Sequence, residues 1–357
     1  MIERREFLKK IVLLTGVMGG GALLPTSGNA ADQEIIHEAG NGNMEDQTKK
    51  GHLTTNDYVR DIVNHQAFKG FGELMLPWDD NTYYYDTRLN QVGSLMPYHS
   101  RVNPDIVVGT LNHMIDEVNA GKTIFYDFYT ERQKQEDPAR NSTGLFFYRG
   151  KAGAPFAIVC PGGGFSYVGS LHEGFPLGRA ISKKGLNAFV IRYRISEQKA
   201  TEDLAAAIAY VFRNAETLGV STQGYSLWGG SAGARMVGNI ALSGVTRYGG
   251  GNLPKPATVV IAYTGQSSYS SNFPPTFITV SANDSIANVS TVEKRVENLR
   301  NAGIEVEYRK YKNAGHGFGL GAGTDAEGWI EYAIQFWEKH SSWKNLSRNA
   351  SGTGNYR

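Results

Sequence analysis

The sequence predicts an α/β fold, a mostly parallel eight-stranded sheet with helices on both faces and an N-terminal extension. Three observations predict it. From Thr123 onward, short apolar runs alternate with segments of helical period, the pattern of parallel strands joined by helical crossovers. Hydrophobic residues make up 41% of the 357 residues and charged residues 20%, enough apolar material for a large packed core. A single cysteine, Cys160, rules out an intramolecular disulfide and any multi-cysteine zinc site, so packing must hold the fold.

Taken in order, residues 1–30 read as an export signal of twin-arginine type. Arg4 and Arg5 precede the apolar run Ile11 to Leu24 and a small-residue end at Gly28, Asn29 and Ala30. Those fourteen apolar residues would span about 21 Å as a helix, short of the ~30 Å hydrocarbon core, so no permanent membrane anchor is expected. The expected location is periplasmic or secreted. Residues 31–55 are polar, without apolar period, and read as a flexible leader. Residues 56–120 form an extension and possible cap, rich in aromatics and with a helix predicted from Pro104 to Asn119. Residues 121–342 are the predicted catalytic domain and 343–357 a flexible tail.

Within the domain the predicted strands are Thr123–Tyr129, Gly144–Tyr148, Pro155–Cys160, Asn187–Arg192, Tyr225–Trp228, Thr258–Tyr263, Thr276–Ser281 and Val306–Tyr311. Helices are predicted at 174–184, 201–217, 232–242, 290–303 and 325–339, the second capped by Thr201 and carrying Leu204, Ile208, Val211 and Phe212 on one stripe. No internal repeat interrupts this order.

The sharpest chemical signal is Gly229-Gly230-Ser231-Ala232-Gly233, directly after an apolar strand and before a helix. A serine on so tight a turn has a strained backbone, and small residues two before and two after relieve the crowding. Ser231 is the candidate nucleophile. A serine hydroxyl needs a base oriented by an acid. Asp284 follows the strand Thr276–Ser281, and its bland alternative is an Asx turn in Asn283-Asp284-Ser285. His316 follows the last strand among flanking glycines. The order Ser231, Asp284, His316 is nucleophile, acid, base, and the separations of 53 and 32 residues fit one intervening βα unit each. Pro161-Gly162-Gly163-Gly164-Phe165 follows the third strand and can expose backbone N–H donors. It fails as a dinucleotide fingerprint because Tyr167 stands where a third glycine is needed, and no Lys-Ser/Thr pair makes it a phosphate loop.

Residues 123–340 resemble the α/β-hydrolase fold, specifically bacterial acetyl-esterase-like members related to the hormone-sensitive-lipase group. The segments that carry the resemblance are Val159-Cys160-Pro161-Gly162-Gly163-Gly164-Phe165, Phe189-Val190-Ile191-Arg192-Tyr193-Arg194, the Ser231 turn and Gly315-His316-Gly317-Phe318. The resemblance implies an oxyanion hole from the backbone N–H groups of Gly163, Gly164 and Ala232. Histidine often precedes the three glycines in that group, whereas Pro161 stands here, so substrate preference does not carry over. Residues 56–120 also resemble the N-terminal part of a set of bacterial hydrolases. The implied activity is hydrolysis of short-chain carboxylic esters through an acyl-enzyme, with acetylated saccharides as a candidate substrate. The alternatives are a serine peptidase, since the same residues cleave amides, and a non-catalytic carbohydrate-binding protein.

No cofactor or metal is expected, and the histidines lack metal-site spacing. The formal charge of +2, with 36 Lys and Arg spread along the chain, excludes an electrostatic platform for nucleic acid. Cleavage after Ala30 removes four basic and two acidic residues and takes the charge from +2 to 0. Cys160 reads as a buried small hydrophobe and Glu202 and Asp203 as partners of a helix dipole, while His172 and Glu173, just after the glycine turn, read as structural, with lining of the pocket as the alternative.

Overall fold

A computed structural model describes residues 51–341. The predicted signal at 1–30, the leader up to residue 50 and the tail at 343–357 lie outside the described residues. Among those described, the strands are β1 (Phe125–Tyr126), β2 (Gly144–Tyr148), β3 (Pro155–Cys160), β4 (Asn187–Arg192), β5 (Ser221–Gly230), β6 (Thr258–Ala262), β7 (Thr276–Ser281) and β8 (Val306–Tyr311). They form one sheet in the order β1-β2-β4-β3-β5-β6-β7-β8. The pairs β1–β2 and β2–β4 are antiparallel, and all others are parallel. Every residue of β2, β3, β4, β6 and β7 is buried, as continuous apolar runs covered on both faces should be. The edge strand β8 is only half buried.

The main helices are α1 (Pro104–Asn119), α2 (Phe175–Lys183), α3 (Glu197–Arg213), α4 (Ala232–Ser243), α5 (Val289–Asn301) and α6 (Trp329–His340). Because β3 has β4 on one side and β5 on the other, right-handed crossovers send α2 to one face and α3 and α4 to the opposite one. The contacts agree: α2 meets α1 and α6, while α3 packs on α4. This reversal of strand order at β3 opens a crevice at the carboxyl ends of β3 and β5, where α/β sheets bind ligands.

Local chemistry explains the boundaries. Asn103 caps α1 by accepting the N–H groups of Asp105 and Ile106, with Pro104 at the first helical position. The predicted cap of α3 is displaced. Ser196 is the extended residue before the helix, and the Thr201 hydroxyl instead donates to the Glu197 carbonyl one turn earlier. The helix then ends at Arg213, and a separate turn, Ala215–Leu218, closes on Gly219 at φ 67°. Asp203 therefore lies beyond the first turn of α3. It is buried and takes three side-chain bonds from Arg194 (2.6–3.1 Å) and one from the Tyr129 hydroxyl, so it is an ion-pair partner rather than a dipole partner. The predicted strand Thr123–Tyr129 shrinks to Phe125–Tyr126, and α6 begins at Trp329 rather than 325.

Residues 51–55, read as the end of a flexible leader, are instead docked. Leu53 is buried, and its N–H and C=O both bond the Asn112 side chain on α1 at 2.8 and 2.9 Å. Residues 56–120 share the core of the sheet domain. The buried Arg192 at the end of β4 donates to the carbonyls of Leu76 and Pro77 and to Asp79, tying that segment to the crevice. On the α6 side, Trp228, Trp329 and Trp337 pack at 6.2–6.4 Å, each indole N–H satisfied, Trp329 by the Gly319 carbonyl at 2.7 Å. Truncating such a tryptophan to alanine costs about 3–5 kcal/mol. Trp329 thereby couples the core to the loop that carries His316.

Candidate active site

Strand β5 ends at Gly230 and α4 begins at Ala232, leaving Ser231 as the whole turn, with φ 50° and ψ −113°. An L-residue adopts that conformation only when its surroundings force it. They do so here. The Ser231 N–H is held by the Ala262 carbonyl at the end of β6, 2.9 Å away. A Cβ on Gly229 would lie 2.5 Å from the Ala234 nitrogen, and one on Gly233 would lie 2.6 Å from the Cys160 carbonyl carbon. Both glycines of the motif are therefore required by backbone contact.

The three predicted residues come together. Ser231 Oγ lies 2.9 Å from His316 Nε2, and His316 Nδ1 lies 2.8 and 3.0 Å from the two carboxylate oxygens of Asp284. The Asp284 side chain is fully buried and that of His316 is 4% exposed. The Asx turn that competed with a site role is also present, since Asp284 Oδ1 accepts the N–H groups of Ile286 and Ala287. The two roles coexist: the turn fixes the carboxylate, and the fixed carboxylate faces the imidazole. The loop of His316 is clamped to the end of β7 through Ser281 Oγ and Asn283 Oδ1, which accept the N–H groups of Ala314 and Gly315. Between Ser231 and Asp284 lie α4 and two strands, because β6 and β7 are joined without a helix.

The turn Pro161–Phe165 lies against the serine. A Cβ on Gly162 would be 3.0 Å from Ser231 Cβ. The Gly162 N–H donates to Glu173 Oε2 at 2.6 Å, and its carbonyl accepts the Gly169 N–H at 2.8 Å. Gly163 and Gly164 have φ of 135° and 64°, and a Cβ on Gly163 would collide with the Tyr167 carbonyl. Among the described residues, the N–H groups of Gly163 and Gly164 donate to no protein acceptor, and Ala232 opens α4, where helix N–H groups stand free. Polar hydrogens that converge beside a nucleophile can receive a negatively charged oxygen.

Sequence reasoning missed part of this neighbourhood. Glu173, read as structural in preference to pocket-lining, lies under the glycine turn. Its Oε1 is 3.2 Å from His99 Nε2, an ion-pair contact rather than an aligned hydrogen bond, and burial together with the Glu173 charge raises the pKa of the Tyr263 hydroxyl. Burial raises the pKa of Glu173, but the adjacent His99 charge and the Gly162 N–H bond outweigh it and hold the group down to about 2. Burial, reinforced by the His99 charge, lowers His172 to about 4. His99 gave no motif because its partners lie 68 or more residues away in the chain. Tyr98 places its ring against Gly164, and the Ser100 N–H bonds the His316 carbonyl at 2.9 Å, so the segment 98–100 borders the site. Cys160 is buried, and burial pushes its thiol far up, which leaves it inert. Among the described residues no cluster of three His, Cys, Asp or Glu side chains is placed to hold a metal ion.

Comparison with known proteins bears on the same region. The family model described as BD-FAE matches residues 148–255, which span both the glycine turn and Ser231. The acetyl ester-xyloside bifunctional hydrolase of Caldicellulosiruptor lactoaceticus superposes with a TM-score of 0.52 at 20% identity, covering 60% of this chain and 95% of that one. The chain has the α/β-hydrolase fold. An acetylxylan esterase of Xylanibacter ruminicola is 24% identical to this chain over 220 residues. That match takes in 52% of the chain and 45% of the relative, so the chain spans less than half of that relative's length. These likenesses agree with the acetyl-esterase-like resemblance drawn from residues 123–340.

Proposed function

We propose that the chain is a serine esterase that cleaves short-chain carboxylic esters, with acetyl groups on plant-type saccharides as its substrate class. The observation that carries this reading is the hydrogen-bonded line Ser231–His316–Asp284 set beside free backbone N–H groups. In this mechanism Ser231 Oγ attacks the ester carbonyl while His316 Nε2 takes its proton. Asp284 holds the Nδ1 hydrogen of the imidazole, which fixes the tautomer and stabilises the imidazolium. The N–H groups of Gly163, Gly164 and Ala232 receive the tetrahedral oxyanion. His316 then protonates the leaving alcohol, and water, activated by the same histidine, releases the acid and restores Ser231. The names of the similar proteins, an acetylxylan esterase and an acetyl ester-xyloside hydrolase, support acetylated saccharide as the substrate class.

The test is hydrolysis of a C2 to C12 acyl series, acetylated xylo-oligosaccharides and a matched amide by purified mature protein, with Ser231→Ala as control. Turnover of short esters should exceed that of the amide, and the alanine variant should fold normally yet lose at least roughly a thousandfold in rate. Near-normal turnover by Ser231→Ala, or labelling by a fluorophosphonate at any other residue, sinks the assignment.

A further inference from the structure

A buried carboxylate with no part in the chemistry above lies directly beneath the glycine turn. Removing a charge from water costs several kcal/mol unless donors compensate, so a core position does not hold glutamate by default. Glu173 is 1% exposed, and the structure makes room for it. A Cβ on Gly230, the residue before the nucleophile, would lie 2.6 Å from Glu173 Oε2. The carboxylate accepts the Gly162 N–H at 2.6 Å through Oε2, and its Oε1 stands 3.2 Å from His99 Nε2 in an ion-pair contact, the two facing atoms being buried with no hydrogen-bond partner of their own. His99 is itself held, because its Nδ1 lies 2.8 Å from the Tyr167 hydroxyl, which also accepts the Tyr98 N–H at 2.9 Å.

The consequence follows from peptide planarity. In a trans peptide the C=O and the next N–H point in opposite directions within one rigid plane. The Pro161 carbonyl is pinned by the Tyr193 hydroxyl at 2.5 Å, and the N–H of the same plane, on Gly162, is pinned by Glu173. The following plane carries the Gly162 carbonyl, bonded to the Gly169 N–H, and so the Gly163 N–H must point the other way. Glycine at φ 135° has no side-chain preference to hold such an orientation, so the anchors must.

We propose that Glu173 and His99 form a positioning pair, in which Glu173 fixes the Gly162 peptide so that the Gly163 and Gly164 N–H groups face the developing oxyanion, and His99 holds Glu173 and offsets its charge. The role in catalysis rests on the esterase reading; the role in holding the turn does not. A bare carboxylate under the donors would repel the oxyanion, which is why the imidazole belongs to the device.

The experiment compares full-length mature wild type with Glu173→Gln, His99→Gln and the double variant. Active sites are counted by fluorophosphonate titration and turnover is measured on p-nitrophenyl acetate. Per titrated site, each single variant should lose about ten- to a hundredfold in kcat with KM within about twofold. Affinity for a trifluoromethyl ketone, whose adduct places an oxyanion among the donors, should fall by the same factor. The double variant should lose far less than the product of the two single losses. A pair that only stabilises the fold would lower the melting temperature and the titrated fraction but leave kcat per site unchanged, which overturns the proposal.

Hydrogen exchange supplies the readout that needs no activity. Exchange across residues 161–169 should quicken at least tenfold in Glu173→Gln while other segments keep their rates; unchanged exchange there overturns the proposal even if activity falls. Should Glu173→Gln fail to fold, His99→Gln carries the same measurements. A wild type that cleaves no ester refutes the esterase reading and leaves exchange at 161–169 to decide whether the pair holds the turn.

Discussion

Replacing Ser231 by glycine should leave a dead protein more stable than replacing it by alanine, the reverse of the usual order of these residues. The reason lies in the backbone at that one position, with φ 50° and ψ −113°. Holding an L-residue in such a region costs on the order of 1–3 kcal/mol, and alanine keeps that cost because it keeps Cβ. Glycine removes it but adds unfolded-state entropy worth about 0.4–1 kcal/mol. Both variants lose the bond from Ser231 Oγ to His316 Nε2, so that loss cancels in the comparison. The remainder favours glycine by about 1 kcal/mol, a difference of roughly 2–3 °C in melting temperature for a domain of this size. Differential scanning calorimetry of the two purified variants measures it directly. An alanine variant that melts at or above the glycine variant would show that the turn stores no strain, and the presentation of the serine would need another cause.

Acid should destabilise the protein in a window set by His172, whose folded pKa is about 4 against roughly 6.5 in the unfolded chain. Between those values the unfolded state binds more protons, so stability falls as pH drops from about 6.5 to 4, by about 3 kcal/mol. Urea titrations at stepped pH should show that slope, and His172→Gln should flatten it; an unchanged slope rules out His172 as its source. Glu173, held down to about 2, extends the loss below pH 4, since its stabilisation is present above the unfolded value and disappears as pH falls toward 2. Asp284→Asn should lower turnover by a thousandfold or more with little change in KM, because an amide no longer fixes the imidazole tautomer; an equal rise in KM alone would mark Asp284 as a binding residue. We propose export through Arg4 and Arg5, and changing both to lysine should hold the precursor in the cytoplasm, as fractionation and immunoblotting would reveal; normal export refutes the twin-arginine reading. Residues 56–120 are proposed to limit the acyl chain to about four carbons through Tyr98, whose ring borders Gly164. Tyr98→Ala should then shift the optimum across C2 to C12 esters toward longer chains, and an identical profile would dismiss that limit.

The parts of this protein legible in its sequence are those whose cause is local. Strands β2, β3, β4 and β7 appear where their apolar runs stand, because each run is bounded by glycine, proline or polar residues that end pairing, and β8 has the predicted bounds although Glu307, Arg309 and Lys310 interrupt its apolar residues. The helix Pro104–Asn119 is likewise legible from its Asn-Pro start and its period. Ser231 is legible because the strain of a one-residue turn forces glycine two positions away on each side, a demand that leaves a mark in five consecutive residues. Where the cause is distant, legibility fails. Thr201 looked like a cap because nothing local announces that Ser196 already supplies the extended residue. Leu53 looked like leader because its partner, Asn112, is 59 residues away.

The same distinction separates the two carboxylates of the site. Asp284 announces itself through an Asx turn at the end of a strand, a local motif that the structure shows serving a second purpose. Glu173 announces nothing. Its environment is assembled from Gly162 on the third strand's turn, Tyr263 after the sixth strand and His99 from the N-terminal extension, and no two of these are neighbours in the chain. One trace of it is local to the nucleophile: Gly230, where a Cβ would lie 2.6 Å from the carboxylate oxygen and 2.9 Å from the Tyr263 ring. A glycine beside the nucleophile is thus the mark left in the sequence by groups packed against it from elsewhere. Gly230→Ala, by this reasoning, should disturb the glycine turn across the gap rather than the serine beside it.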